Sequence, residues 1–416
     1  MHRSACDSMR LEMECAKCGR TYPVDEMVYR CVKCDYPLEV RYDYEDVGTK
    51  LSKRLIRKRP WTIWRYSELL PIRDLSKIVS MGEGGTSLHK SIRLAERLSV
   101  KNLYLKDETR NPTWSFKDRG SSVGISKALE IGASAVGCVS TGNMAASMAA
   151  YAAKAGIKCV ILISSGTPLE KVTQMLICGA EVISMERPYP EIYRVGLETS
   201  REYGIYWVHA DAPMRIEGQK TSSYEICEQL GWKVPDRVII PTSSGGNISA
   251  HWKGWKELYS IGFVEKLPSM VAIQAKGSCP IVKAFKAKKE FVEPFKEART
   301  IAHSISNPDP PSGQRVLKIL KESEGVAEAV SDMELLDAQK ILAETEGIFA
   351  EPAGAASVAG LKRLIEEGVV DRDEKIACVI TGTGLKDVKS AMKIAGEPTE
   401  LKSWDACQQL LKSVKI

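Results

Sequence analysis

The chain reads as an α/β protein, with two doubly wound parallel-sheet domains preceded by a small zinc ribbon. Three observations carry that reading. From residue 135 the 416-residue chain repeats strand, polar turn and helix, which implies parallel strands with helices on both faces. Two of those turns, at 140–143 and 242–247, contain glycine and lie between an apolar run and a helix. Near the start, Cys15, Cys18, Cys31 and Cys34 form the pattern C-x2-C-x12-C-x2-C. Two such knuckles joined by a short hairpin set four thiolates tetrahedrally around a zinc ion.

The length suits two or three domains. Hydrophobic residues make up 44% and charged residues 27%, ordinary values for a globular protein. The net charge of +6 is modest, and no basic run interleaves with aromatics, so nucleic acid is not an expected partner. Residues 50–60 are locally basic and read as a solvated linker. No apolar run is long enough to span a membrane. Asp7, Arg10, Glu12 and Glu14 interrupt the start of the chain, so no signal peptide is expected. The twelve cysteines are diluted over the chain, and Cys138, Cys159, Cys178 and Cys378 lie in apolar contexts. That fits reduced, buried thiols in a cytoplasmic protein.

Taken in order, residues 1–12 read as a tail. In the ribbon, Gly19 lets the chain turn after the first knuckle, and a closed four-cysteine site is structural, not catalytic. An aromatic segment, 61–75, bridges ribbon and core. A glycine-rich loop follows at 81–88, then a strand at 102–106. Asn111-Pro112 opens a turn, and 118–131 reads as a helix, so Lys117 falls at or just before a helix N-terminus. The partial positive charge there disfavours an ammonium, and the Phe116 ring adds an apolar neighbour. A lysine so placed is easier to deprotonate, as a Schiff-base lysine must be.

Strands at 135–139, 157–163, 181–184 and 206–209 alternate with helices at 144–155, 170–178 and 191–203. Ligands bind at the carboxyl ends of such strands, where Ser140, Thr141, Gly142 and Asn143 fall. Arg215 lies in the segment that leads to Glu217 and the next helix, placed to meet an anionic group. The strand at 238–241 runs into Thr242-Ser243-Ser244-Gly245-Gly246-Asn247 and a helix from about 249. Strand, glycine turn and helix cradle a phosphate with backbone N–H groups, but this is neither a dinucleotide fingerprint nor a Walker A loop. A strand at 270–275 and a proline-rich surface loop at 304–313 follow. Helices are expected at about 313–323, 331–346 and 353–367, with Glu351 as an N-terminal acid of the last. The strand at 376–380 ends in Thr381-Gly382-Thr383-Gly384.

The stretch from Asn111 to Gly120 (NPTWSFKDRG) resembles the cofactor-lysine motif of threonine synthases. These are pyridoxal 5'-phosphate (PLP) enzymes of fold type II, the tryptophan-synthase-β-like group. Trp114 stands where the family more often has Gly or Leu. Four further motifs resemble the family's in order. They are the loop at 82–88, with Ser87 for the usual Pro; Ser140 to Asn143; Ser244 to Asn247; and the Thr381 turn. The Glu351-Pro352-Ala353 helix start is similar as well.

The resemblance implies that Lys117 carries PLP as a Schiff base. Phe116, Asn143, Ser243, Ser244, Gly245, Gly246, Asn247 and Thr381 would surround the cofactor, with Thr381 at its pyridine nitrogen. Ser140, Thr141, Arg215 and Ser244 would hold an amino-acid substrate. Two departures fall where the family binds the substrate phosphate: His209 and Ala210 replace an Asn-Ser pair, and Ser244 replaces an Asn. Alanine cannot hydrogen-bond a phosphate.

The expectation is therefore a homodimeric PLP enzyme. It has a tail and zinc ribbon at 1–45, a large domain from 46–129 and 216–416, and a small inserted domain at 130–215. The activity implied is conversion of O-phosphohomoserine and water to threonine and phosphate. The departures leave open a β-elimination or β-replacement on serine, threonine or O-phosphoserine. A non-catalytic zinc-ribbon protein with a degenerate core is the third reading, and the intact Lys117, Asn143, Gly245, Gly246 and Thr381 argue against it.

Overall fold

The computed structural model describes residues 11–413 apart from 168, 188 and 211; positions 1–10 of the expected tail lie outside them. Three strands, β1 (Glu12–Cys15), β2 (Thr21–Pro23) and β3 (Leu38–Arg41), form an antiparallel sheet in the order β2-β1-β3. This is the ribbon, and it begins at residue 12, the end of the expected tail.

The larger sheet contains β4 (Leu88–Ser91), β5 (Asn102–Asp107), β10 (Arg237–Pro241), β11 (Ser269–Ala275), β12 (Val326–Val330) and β13 (Lys375–Ile380). Its order is β12-β11-β10-β13-β5-β4, parallel except for the edge strand β4. The second sheet contains β6 (Ala135–Val139), β7 (Lys158–Ser164), β8 (Glu181–Met185) and β9 (Ile205–Trp207), in the order β8-β7-β6-β9 and all parallel. The apolar runs explain the layering. In β6 and β13 nearly every residue is buried, as strands covered by helices on both faces must be.

Helix ends follow their letters. Ser331 and Glu334 close a capping box on the helix Asp332–Glu346, and Gly347 ends it in the left-handed conformation. Strand β12 was not anticipated, because Val326–Val330 carries a glutamate in a short run; Glu328 pairs with Lys286 at 2.5 Å. The structure also has helices Val388–Ala395 and Trp404–Ser413. Among the described residues no helix is long and apolar enough to cross a membrane.

The ribbon is bound into the core by polar contacts as well as packing. Lys253 donates to the Val40 carbonyl at 2.6 Å, and Tyr42 donates to the Glu217 carboxylate at 2.6 Å. Lys253 also pairs with Glu217, and Arg315 with Glu39. The Trp207 N–H donates to Tyr29 Oη at 2.8 Å.

Candidate active site

Strands β10, β13 and β5 are neighbours in the larger sheet. Their carboxyl ends lead to the Ser243–Asn247 turn, Thr381 and Lys117 respectively; β6 of the second sheet leads to Ser140–Asn143. Lys117 is the first residue of the helix Lys117–Glu130. The turn before it is stitched to the Thr381 turn: Phe116 N–H donates to the Thr381 carbonyl, and Thr383 N–H to the Trp114 carbonyl, both at 3.1 Å. Asp118 fixes the loop by accepting from Thr113 N–H (2.6 Å), Thr113 Oγ1 (2.5 Å) and Ser147 Oγ (2.5 Å). Trp114 has φ 65°, left-handed backbone that costs a non-glycine residue about 1 kcal/mol. Glycine at that position would be unstrained.

Lys117 keeps part of its surface open, and its Nζ lies 4.0 Å from the centre of the Phe116 ring. Burial of the amine, and next the Arg215 charge, hold its pKa well below the ordinary lysine range, with Glu351 opposing. The amine is thus biased toward its neutral, nucleophilic form.

Glu351 is more than a helix-terminal acid. It stands at the N-cap of Pro352–Glu366 without making a side-chain cap. Its carboxylate accepts from Asn143 Nδ2 at 3.0 Å and from Ser304 Oγ at 3.1 Å. A Cβ on Gly382 would lie 3.0 Å from Glu351 Oε1 and 3.2 Å from Asn143 Nδ2. Lys117, Asn143, Thr381 and Glu351 therefore gather around one cleft, and burial raises the Glu351 pKa. Ser140 and Thr141 stand in the turn just before Asn143, partly exposed, and Ser140 Oγ accepts from Gly142 N–H at 3.3 Å.

The second glycine turn is tightly packed. Gly245 has φ 92°, and a Cβ there would lie 2.7 Å from Val316 Cγ2 and 3.0 Å from Ser312 Cβ. A Cβ on Gly246 would lie 2.6 Å from the Ala210 carbonyl oxygen. No side chain caps the helix Gly246–Ser260, so its first N–H groups are free for an anion. Nearby, Asn247 Nδ2 and Ser312 Oγ are buried polar atoms without a hydrogen-bond partner. Uncapped amides, two orphaned polar groups and a cradle that only glycine fits match a phosphate ester. With the Lys117 amine, they match PLP.

Arg215 lies within a helix, Pro213–Gln219, and not in a lead-in segment. It is buried, packed so closely on the Lys117 helix that a Cβ on Gly120 would lie 2.6 Å from Arg215 Cγ. His209 is buried among aromatic rings. Its imidazole stacks 5.6 Å from the Trp207 ring and lies 4.5 Å from the Tyr193 ring, with only 2% of the residue exposed. The segment 304–313 is also more than a surface loop. Asn307 Nδ2 donates to Ser244 Oγ at 2.7 Å, and Ser312 N–H to the Ser244 carbonyl at 3.1 Å. Asn307, Ser304 and Ser312 were missed because an Asn-Pro and serines in a proline-rich stretch signal only a turn.

In the ribbon, one sulfur from each of Cys15, Cys18, Cys31 and Cys34 lies within 4.8 Å of all the others. Three of the sulfur–sulfur separations run from 3.4 Å (Cys15–Cys34) to 3.8 Å (Cys18–Cys34). Sulfurs held tetrahedrally at the usual zinc–thiolate distance would stand about 3.8 Å apart. The donor set fits a structural zinc ion.

The pattern that defines the family "Pyridoxal-phosphate dependent enzyme" matches residues 79–382. Among curated proteins, the chain is 46% identical to a threonine synthase of Methanocaldococcus jannaschii, covering 96% of this chain and 99% of that one. It is 44% identical to a threonine synthase of Methanosarcina acetivorans, covering 93% and 95%. Among solved structures it resembles threonine deaminase isoform 2 of Solanum lycopersicum, with a TM-score of 0.62 and 22% identity over 74% of this chain and 86% of that one. Maize serine racemase is similar, with a TM-score of 0.61 and 24% identity over 79% and 92%. These two likenesses speak for the fold alone.

Proposed function

Because the chain belongs to the pyridoxal-phosphate dependent enzymes and has the lyase function of a threonine synthase, we propose that Lys117 is its cofactor-bearing and proton-moving residue. The observation that supports this best is the placing, at the carboxyl ends of the two strands that flank β13, of a burial-weakened lysine and an uncapped, glycine-walled helix terminus.

In this reading Gly245, Gly246, Asn247 and Ser243 hold the cofactor phosphate through backbone and side-chain N–H and O–H groups. Phe116 packs beside the Lys117 amine, and Asn143 and the Thr381 hydroxyl would help to hold the cofactor ring, the first toward its oxygen and the second toward its nitrogen. PLP supplies the electron sink for carbanions at the substrate. The substrate O-phosphohomoserine sets its carboxylate on Ser140, Thr141 and the first amides of the helix Asn143–Ala155. Arg215 and Ser244 receive its phosphate. Lys117 would take the proton from Cα and then from Cβ. The phosphate leaves from Cγ, Lys117 gives its two protons back at Cγ and Cα, and water supplies the hydroxyl at Cβ and a proton to the departed phosphate, giving threonine. The neutral-leaning Lys117 amine is suited to the first removal.

Cys15, Cys18, Cys31 and Cys34 hold one structural zinc in this proposal. Residues 130–215 act as a small domain inserted between 46–129 and 216–416, and the enzyme works as a cytoplasmic homodimer. Metal analysis of the purified protein checks the first point, with one zinc per chain expected. Sedimentation checks the assembly.

The test of function is direct. The protein, loaded with PLP, is offered O-phosphohomoserine and separately O-phosphoserine, serine and threonine. Threonine and phosphate in equal amounts from O-phosphohomoserine alone is the expected result, abolished in Lys117→Ala. Turnover only of the other three would replace this reading with a β-elimination or β-replacement, which the inward-turned His209 and the donor-less Ala210 side chain would then explain.

A further inference from the structure

We propose that the loop at 304–313 completes the subsite for the substrate's phosphate, and that Asn307 is its specificity-determining residue. The inference rests on the functional reading above and deepens it. A phosphate dianion entering a closed cleft must find several donors to replace its water. Three core positions that face this task are poor in them. His209 is sealed among aromatic rings, Ala210 has no polar side chain, and Ser244 offers one hydroxyl.

The loop brings what they lack. The Asn307 carboxamide lies with Nδ2 2.7 Å from Ser244 Oγ. Its orientation is set by the other end: Asn307 Oδ1 accepts the Asp309 N–H at 3.1 Å. The donor end is therefore the one turned to the cleft, and an amide nitrogen has two hydrogens to give. Ser244 Oγ accepts one of them, which leaves the Ser244 hydroxyl proton free to point at an anion. Five residues on, Ser312, with 1% exposed, belongs to the cofactor-phosphate cradle, where its hydroxyl has no protein partner. It packs directly on Gly245, where a Cβ would lie 3.0 Å from Ser312 Cβ. Ser304, at the start of the loop, is tied to Glu351 beside Asn143. The loop thus contacts the Ser244 turn directly and is tied to the Asn143 turn through Glu351, and the Asn307 donor stands where Ser244 replaces asparagine.

The consequence is selectivity. Asn307 should matter for a substrate that carries a phosphate and not for holding the cofactor, whose own phosphate has the helix amides. The experiment uses the PLP-loaded enzyme and two probes, O-phosphohomoserine in steady-state kinetics and inorganic phosphate in calorimetric titration. Asn307→Ala is expected to raise KM for O-phosphohomoserine about tenfold to a hundredfold, the loss of one or two charge-assisted hydrogen bonds. It should weaken inorganic phosphate binding by a similar factor, with kcat within about threefold and the bound-cofactor absorbance unchanged. Asn307→Asp keeps the size and the Asp309 contact but places a carboxylate on the anion, so its KM should exceed that of Asn307→Ala. Ser244→Asn added to Asn307→Ala should lower KM again.

Wild-type KM and phosphate affinity in both single variants would overturn the proposal. So would loss of cofactor absorbance in both, because the loop would then belong to the cofactor site. Phosphate binding is read without turnover. If the wild-type enzyme binds phosphate through Asn307 yet does not convert O-phosphohomoserine, the functional reading fails and the subsite stands.

Discussion

The two glycine-containing turns of the site share a recipe and differ in closure. Each follows a buried parallel strand, places glycine before an asparagine, and opens a helix without a side-chain cap. Gly142 has open space around it: a Cβ there would meet nothing within 4 Å. Gly245 and Gly246 are walled in by Val316, Ser312 and the Ala210 carbonyl. An open anion site suits a group that must arrive and leave with every turnover. A sealed one suits a phosphate that stays. The difference lies in what packs behind each turn, not in its letters.

The largest effect that tests the comparison is expected at the sealed turn. Gly245→Ala sets a Cβ into Val316 and Ser312 at φ 92°, so overpacking and backbone strain add. Stability should fall by about 2–4 kcal/mol in thermal unfolding, and PLP retention on dialysis by about a hundredfold. An unmoved Gly245→Ala would break the comparison at once.

Acid gives the next largest effect. The helix that follows Ser312 is pinned to the ribbon by Arg315 and Glu39. Burial alone would raise the Glu39 pKa, but the charges of Arg315, Lys253 and Lys256 outweigh it and hold it at about 2, below the usual 4.5. A lowered acid stabilises the fold above the unfolded value, and that stabilisation is lost as pH falls from about 4.5 toward 2. Roughly 3 kcal/mol of stability should go over that window, and Glu39→Gln should flatten this part of a denaturation-versus-pH curve.

Asn247→Ala removes one orphaned donor from the sealed turn. It should weaken PLP about tenfold and leave the KM of the amino-acid substrate unchanged, as read by absorbance titration and kinetics. The smallest effect belongs to the open turn. Gly142→Ala, at φ −134°, should leave stability within about 0.5 kcal/mol and cofactor retention untouched, with any change confined to substrate KM.

Much of this was legible in the letters because strand, turn and helix junctions are local. Lys117, Asn143, the Gly245-Gly246 pair, Thr381 and the cysteine quartet each lie in a short pattern with its own physical reason. What was hidden depends on contacts across the chain. Glu351 looked like a helix-terminal acid, and only its bonds to Asn143 and Ser304 bring it to the cleft. Asn307 is 63 residues from Ser244, beyond any periodicity. Arg215 was legible as a cation, but its helix and its close packing on Gly120 were not, since Pro213 and Gly218 obscured a short helix. His209 looked like a replacement for a phosphate ligand, and only the rings of Trp207 and Tyr193 show that it is a core residue.

The ribbon's attachment bears on how freely this protein's parts can be recombined. Tyr42, the Val40 carbonyl and Glu39 reach into the core to meet Glu217, Lys253 and Arg315. Glu217 lies two positions from Arg215 on the same short helix, and Lys253 belongs to the helix that the sealed turn opens. Cutting the chain at residue 46 would leave the buried Arg315 without Glu39, a loss of about 3–5 kcal/mol for that pair, and would take the Tyr42 and Val40 hydrogen bonds from Glu217 and Lys253. The ribbon is thus no detachable module: the catalytic body has no finished surface beneath it, and shortening or swapping the ribbon would have to rebuild that surface as well.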